Sequence, residues 1–157
     1  MDLIVVNSPN AYLGNVPNVK KIKDFQDVFI ADKAFEELKG KKLSFKELLN
    51  YPILMLDRKS TTSEYLHNLF LQNQLDLVPE IELSSNDLLI DLARIGLGIA
   101  FIPDFCLSQT SDSDSLFIVE TQEALPEREL VIAYNEKFRY PKPHRNFYLI
   151  LIHLSDA

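Results

Sequence analysis

The sequence predicts an α/β fold, in which short apolar strands alternate with amphipathic helices. Aliphatic runs such as residues 3–6 and 99–102 have the length and composition of buried strands. Between such runs, apolar residues recur at helical spacing, and Ser or Thr residues stand where helices would begin. This alternation is typical of βαβ units, so we expect a largely parallel sheet.

The predicted strands are short runs of aliphatic and aromatic residues bounded by Pro, Gly, Asn or charged residues. They lie at residues 2–6, 27–31, 53–56, 79–83, 99–102, 116–119 and 129–134. Residues 11–21 contain Gly14 and Pro17 without a clear period, so they are predicted to form a connector. The polar run at residues 109–115 is predicted to be a loop, and a final helix is predicted at about residues 144–153.

Ser or Thr residues mark the starts of the other predicted helices. Ser44, Thr61 and Ser84 are each followed three positions later by an acidic residue. This is the capping-box pattern, in which the Ser or Thr oxygen accepts an N–H of the first turn. Gly96 is predicted to end the third helix in the left-handed conformation, and Gly98 to permit close approach of helix and sheet.

Two of these helix starts directly follow predicted strands. In an open parallel sheet both would lie at the carboxyl edge of the strands, where such folds bind ligands. Helix N-terminal N–H groups suit a small anion such as a carboxylate, and Arg58 and Lys59 add positive charge. The hydroxyl groups that would line this site belong to Ser60, Thr61, Thr62, Ser84 and Ser85. The alternative is that both helices only cap themselves and bind no ligand.

Composition excludes several classes of protein. The 157 residues are 46% hydrophobic and 25% charged, which is typical of a folded globular chain. The apolar runs are far shorter than a membrane span and no signal peptide is evident, so we expect a soluble, cytoplasmic protein. A net charge of −7 with scattered Lys and Arg makes the chain alone a poor nucleic-acid binder. The lone Cys106 excludes an internal disulfide.

Catalytic and cofactor motifs are weak. His67, His144 and His153 are isolated in sequence, and Cys106 is predicted to be a packed thiol. The Gly96-Leu97-Gly98 segment lacks the third glycine of a dinucleotide fingerprint and stands between a helix and a strand, the reverse of the required order. Asp112 and Asp114 lack the rest of a calcium loop. We therefore predict a protein that is not an enzyme and has no cofactor and no metal.

The order of motifs resembles a known family. Residues 81–103, IELSSNDLLIDLARIGLGIAFIP, resemble the signature region of the effector-binding domain of LysR-type transcriptional regulators. Further similar segments are residues 2–6, 43–53, 60–62 and 128–134, with Arg145 and Phe147. The family's usual His-Pro pair is replaced here by residues 34–37, Ala-Phe-Glu-Glu.

The resemblance implies a periplasmic-binding-protein-like (type 2) domain with two lobes and a small anionic effector in the cleft between them. Residues 1–24 would be the remnant of the outer lobe and the crossover, residues 25–101 the inner lobe, and residues 102–157 the return to the outer lobe. The first part of the outer lobe is expected to be missing from this chain. An N-terminal helix-turn-helix domain, also absent here, would bind DNA, and the regulator would be a dimer or tetramer.

By position, the family's effector contacts fall on Asn7, with Ser8 beside it, and on Ser84, with Ser85 beside it. Ser60 and Thr61 are weaker candidates in the same cleft. Three other functions stay open: a stand-alone small-molecule-binding module, a dimerisation module, and an α/β enzyme. The last would depend on His67, His144 or Cys106.

Overall fold

The computed structural model describes residues 3–8, 18–109 and 115–134, with side chains described for residues 20–107 and 115–132. In chain order the strands are β1 (Leu3–Ser8), β2 (Asn18–Phe25), β3 (Asp27–Ala31), β4 (Lys42–Leu43), β5 (Ile53–Leu56), β6 (Ile81–Leu83), β7 (Ile99–Pro103), β8 (Phe117–Thr121) and β9 (Arg128–Tyr134). The α-helices are α1 (Phe45–Leu48), α2 (Thr61–Gln72) and α3 (Asn86–Arg94). Turns of 3-10 helix occupy Lys33–Leu38 and Asp104–Gln109.

The chain divides into two compact units. The first combines Met1–Phe25 with Glu127–Ala157, and the second is Gln26–Pro126. Strand β8 pairs with β3 and belongs to the second unit, and the predicted return to the outer lobe over residues 102–157 stays a prediction. The correspondence of these two units to the outer and inner lobes of the family stays a prediction.

The first unit contains an antiparallel sheet in the order β1-β9-β2. Strand β9 lies in the centre, with Leu130, Val131 and Ile132 buried. Strand β2 begins at Asn18, so the prediction of a connector over residues 11–21 is wrong for its last four residues. This Lys-rich polar segment has no strand-like period in its sequence. It forms a strand because it pairs with β9.

The second unit contains a mixed sheet in the order β4-β8-β3-β7-β5-β6. Strand β5 runs parallel to β6 and β7, whereas β3 is antiparallel to both β7 and β8. The prediction of a largely parallel sheet is therefore wrong for the two pairings of β3, whereas β4 pairs with β8 in parallel. Helical crossovers impose parallel pairing only along β5-α2-β6-α3-β7, and β3 precedes that segment.

The two long helices cover opposite faces of this sheet. Helix α2 contributes Leu66 and Phe70 to a buried cluster that includes Met55 of β5. Helix α3 contributes Leu89 to a second cluster that includes Leu54, the neighbouring residue of β5. Because successive side chains of a strand point to opposite faces, α2 and α3 lie on opposite sides of the sheet.

The helix starts differ by one residue from two of the predictions. Helix α2 is capped by Ser60, not Thr61, and helix α3 by Ser85, not Ser84. In each case the capping Ser has an extended backbone and the predicted neighbour does not fill the cap. Consecutive hydroxyl residues allow several cap registers, and only the backbone path selects one. The capping box at Ser44 is confirmed, because its hydroxyl oxygen accepts from Glu47 N–H.

The two positions after α3 require glycine for different reasons. Gly96 has φ +77°, which confirms the left-handed helix end. Gly98 meets β5 rather than a helix, since a Cβ there would lie 2.5 Å from the carbonyl oxygen of Pro52. The predicted final helix at residues 144–153 lies outside the described residues. Within the described part of the chain, no helix combines the length and apolar character needed to cross a bilayer.

Candidate functional site at the carboxyl edge of β5 and β6

The ends of the parallel strands β5 and β6 lie side by side. Leu56 is in register with Leu83, and the N–H of Asp57 donates a 2.8 Å hydrogen bond to the carbonyl oxygen of Leu83. From this edge the chain enters α2 on one face of the sheet and α3 on the other. Neighbouring strands whose following helices leave to opposite faces form a topological switch point, the usual ligand site of open α/β sheets.

The start of α2 is a tight polar turn. The side chain of Asp57 accepts from Lys59 N–H at 3.1 Å, and its carbonyl accepts from Ser60 N–H at 3.0 Å. The hydroxyl oxygen of Ser60 accepts from the N–H groups of Thr62 and Ser63, at 3.1 and 3.4 Å. A ligand at this edge would therefore meet the hydroxyl proton of Ser60 as a donor, since the oxygen already serves the helix.

Two residues, Ser84 and Ser85, separate the end of β6 from the start of α3. The hydroxyl oxygen of Ser85 accepts from Leu88 N–H at 3.3 Å, and Ser84 beside it is exposed. Asn86, the first helical residue, has a buried side-chain oxygen without a hydrogen-bond partner among the described residues. Sequence reasoning missed Asn86, although its place directly after a capping Ser was a usable signal.

Positive charge at this edge comes from Arg58 and Lys59, both of which are exposed. The Nε atom of Arg58 lies 3.9 Å from Oε1 of Glu82, so part of its charge is offset. Lys59 takes part in no ion pair with the described residues. Two helix N-termini and one unpaired lysine make this edge favourable for a small anion.

The structure brings four of the six predicted site residues to one sheet edge: Ser60, Thr61, Ser84 and Ser85. Asn7 and Ser8 are the last residues of β1 in the first unit, opposite Leu130 and Glu129 of β9. Their side chains lie outside the described residues, and their part in a ligand site stays a prediction, as does that of the other four.

The two described residues considered for catalysis, His67 and Cys106, lie in different elements. His67 is half-buried on α2, and its pKa is lowered, first by burial and then by the charge of Arg58. Cys106 is half-buried and packs against the cluster that contains α3. The remaining candidates lie outside the described residues: Asp112, Asp114, His144 and His153. Over residues 18–109 and 115–134, no three His, Cys, Asp or Glu side chains are grouped as metal ligands.

Comparison with known proteins places the chain in a family of regulators. Residues 2–153 match the family model of the LysR substrate binding domain. The chain is 25% identical over 130 residues to the HTH-type transcriptional activator CmpR of Synechocystis, covering 80% of this chain and 43% of that relative. The chain thus spans less than half the length of this relative.

Solved structures show the same fold. The CcmR regulatory domain of Synechocystis, in complex with 2-PG, aligns with a TM-score of 0.77 and 22% identity over 98% of this chain and 71% of that chain. An OxyR mutant of Corynebacterium glutamicum aligns with a TM-score of 0.69 and 16% identity over 99% of this chain and 48% of that chain. The mixed α/β architecture is therefore the periplasmic-binding-protein-like type 2 fold, and the chain belongs to the LysR substrate-binding domain family.

Proposed function

We propose that this chain is the effector-sensing part of a LysR-type transcriptional regulator and that it binds a small anionic metabolite. The observation that carries this proposal is the switch point at the ends of β5 and β6, where the hydrogen bond from Asp57 to Leu83 joins two helix starts. Capped helix N-termini on both faces of one edge, with Lys59 beside them, suit a carboxylate or a phosphate.

Within the proposed site, each residue has a distinct role. Ser84 and the hydroxyl proton of Ser60 donate to the anion, and Lys59 supplies the charge. Ser85 and Thr61 contribute mainly through the helix starts that they form, because the side-chain oxygen of Ser85 already accepts from Leu88 N–H. Asn7 and Ser8 are proposed to close the site from the other lobe, so that the anion lies in a cleft between the lobes.

The proposed mechanism is a shift between two arrangements of lobes or subunits. An effector shifts such a balance only by as much as its affinity differs between the two states. The complete regulator is proposed to be a cytoplasmic dimer or tetramer with a helix-turn-helix domain that binds DNA. The domain then senses the metabolite and controls transcription without turning it over.

The first test is a titration with 2-PG, because the CcmR regulatory domain was solved with that ligand. A panel of small carboxylates and phosphorylated carboxylates follows, with calorimetry and thermal unfolding as the measurements. A ligand at 100 times its dissociation constant stabilises the domain by about 2.7 kcal/mol. We expect saturable stabilisation, weakened about tenfold by Ser84→Ala or Lys59→Gln, because each removes one donor to a charged ligand.

The matched control is Lys41→Gln, which removes an exposed positive charge outside the predicted site. It should leave binding unchanged. If Lys41→Gln weakens binding as much as Lys59→Gln, the attraction is a property of net charge and the proposed site is wrong. The same conclusion follows if the unmodified chain binds no anion of the panel.

A further inference from the structure

A pocket lies in the Gln26–Pro126 unit along α2. Its volume is about 290 Å³, and its lining consists of Arg58, Ser63, Glu64, His67 and Asn68. The last four residues are two pairs spaced four apart on α2, so they share one face of the helix. Ser63 and His67 lie within the helix, after the capped start that forms the candidate anion site.

Two of the lining residues each carry a polar atom that has no hydrogen-bond partner among the described residues. These atoms are Oγ of Ser63 and Nε2 of His67, and both are buried. Ser63 as a whole is 0% exposed. Buried hydroxyl and imidazole groups are normally paired, and leaving one unpaired is unfavourable. Two such atoms on residues that line one pocket favour a site for a polar molecule.

The charges of the lining are balanced. Arg58 is its one positive residue and Glu64 its one negative residue, since His67 is kept neutral at neutral pH by its lowered pKa. The nearest acidic partner of Arg58 is Glu82, at 3.9 Å, which is too long for a hydrogen bond. The guanidinium therefore keeps donors for a carboxylate, and Glu64 offers acceptors for an ammonium group.

We propose that this pocket is a further small-molecule site next to the anion site at the strand edge, with which it shares Arg58, and that its ligand is a small zwitterion of the α-amino-acid class. The carboxylate accepts from Arg58 and from the hydroxyl of Ser63, and the ammonium group donates to Glu64. The pocket lies near the lower limit of ligand-pocket volumes, which restricts the ligand to an amino acid with a short or medium side chain.

The test uses the whole chain labelled with ¹⁵N in its imidazole rings, with the His67 signals assigned by comparison with His67→Gln. The probes are glycine, L-alanine and L-glutamine, and the single-charge counterparts are acetate and methylammonium. We expect at least one amino acid to shift the Nε2 signal of His67 saturably. Acetate and methylammonium should bind at least about tenfold more weakly, because each lacks one charged contact.

Ser63→Ala and Glu64→Gln are the variants that test the pocket. Each should weaken amino-acid binding about tenfold. Without ligand, Ser63→Ala should be at least as stable as the unmodified chain, because it removes an unpaired buried oxygen. Ser84→Ala and Lys59→Gln are the matched controls, and they should leave amino-acid binding unchanged while weakening anion binding at the strand edge.

Three results would overturn the proposal. The first is the absence of a saturable His67 shift with all three amino acids, which would mean that water alone fills the pocket. The second is a loss of stability in ligand-free Ser63→Ala, which would mean that the hydroxyl is already paired. The third is loss of amino-acid binding in Ser84→Ala, which would move the ligand to the strand edge.

Discussion

The N–H of Asp57 donates a 2.8 Å hydrogen bond to the carbonyl oxygen of Leu83, and this bond joins the ends of two parallel strands that precede helices on opposite faces of the sheet. The residues that follow these strands are far apart in sequence, yet they meet at one sheet edge. This contact extends the pairing of β5 and β6, which brings the strand ends that precede Ser60 and Ser85 to one sheet edge, where the anion site is proposed.

Substitutions at the two possible caps of α2 should have unequal effects. Ser60→Ala should lower the free energy of unfolding by about 1 kcal/mol, because it removes the acceptor of the Thr62 and Ser63 N–H groups. Thr61→Ala should be close to neutral, since Thr61 is the first helical residue. Urea denaturation measures both, and a larger loss in Thr61→Ala would contradict the assigned cap.

Gly98→Ala should destabilise the second unit by about 2–3 kcal/mol, because overpacking forces the surrounding backbone to move. The added Cβ would lie 2.5 Å from the carbonyl oxygen of Pro52, which also accepts from Ile99 N–H at 2.8 Å. The control is Gly40→Ala, which meets no atom within 4 Å and has a cost only from its positive φ. Equal unfolding midpoints for the two variants would show that the contact with Pro52 is unimportant.

The stacked pair of Phe45 and Phe70 should show energetic coupling. Their ring centroids lie 4.6 Å apart at an interplanar angle of 14°, and both side chains are fully buried. A double-mutant cycle with Phe45→Leu and Phe70→Leu should give a coupling of about 0.5–1.5 kcal/mol. Phe45→Leu combined with Leu89→Ala is the control, because Leu89 lies in the cluster on the other face of the sheet and the two effects should add.

Stability should fall as the pH is lowered through the range in which histidine titrates. Burial and the charge of Arg58 lower the pKa of His67 in the folded chain, although Glu82 and Asp76 oppose this shift. The unfolded chain therefore binds the proton more readily, and the stability present above about pH 6.5 is lost as the pH falls toward the lower folded pKa.

The measurement for His67 is urea denaturation at a series of pH values. His67→Gln should remove this part of the pH dependence. Arg58→Gln should reduce it, because the pKa of His67 then rises toward its ordinary value. An unchanged slope in His67→Gln would assign the pH dependence to other groups.

Asn7→Ala should weaken binding of the anionic effector about tenfold if Asn7 donates to it, as proposed. The free energy of unfolding of the Asn7→Ala variant should change little, because the strand pairing of Asn7 with Leu130 uses only the backbone. Lys20→Gln, an exposed change in β2 of the same unit, is the control and should leave effector binding unchanged. Calorimetric titration with 2-PG distinguishes the two variants, and equal affinities would exclude Asn7 from the site.

Local sequence was sufficient to predict the elements whose formation depends only on residues close together in the chain. The strand predicted at residues 99–102, the capping box at Ser44 and the helix end at Gly96 all rest on side-chain type and short-range backbone geometry, and all three are present in the structure. The motif order around α3 was also sufficient to predict the LysR family, which the match over residues 2–153 confirms.

Tertiary structure alone decided which distant segments meet. The antiparallel insertion of β3 between β7 and β8, and the choice of Ser60 and Ser85 over their hydroxyl neighbours, depend on strand pairing and on the path of the chain between elements. The pocket around Ser63 and His67 has no sequence signature, because an unpaired buried atom is defined by what surrounds it in space. Periodicity reports how a segment relates to its own axis, whereas these features depend on contacts between segments.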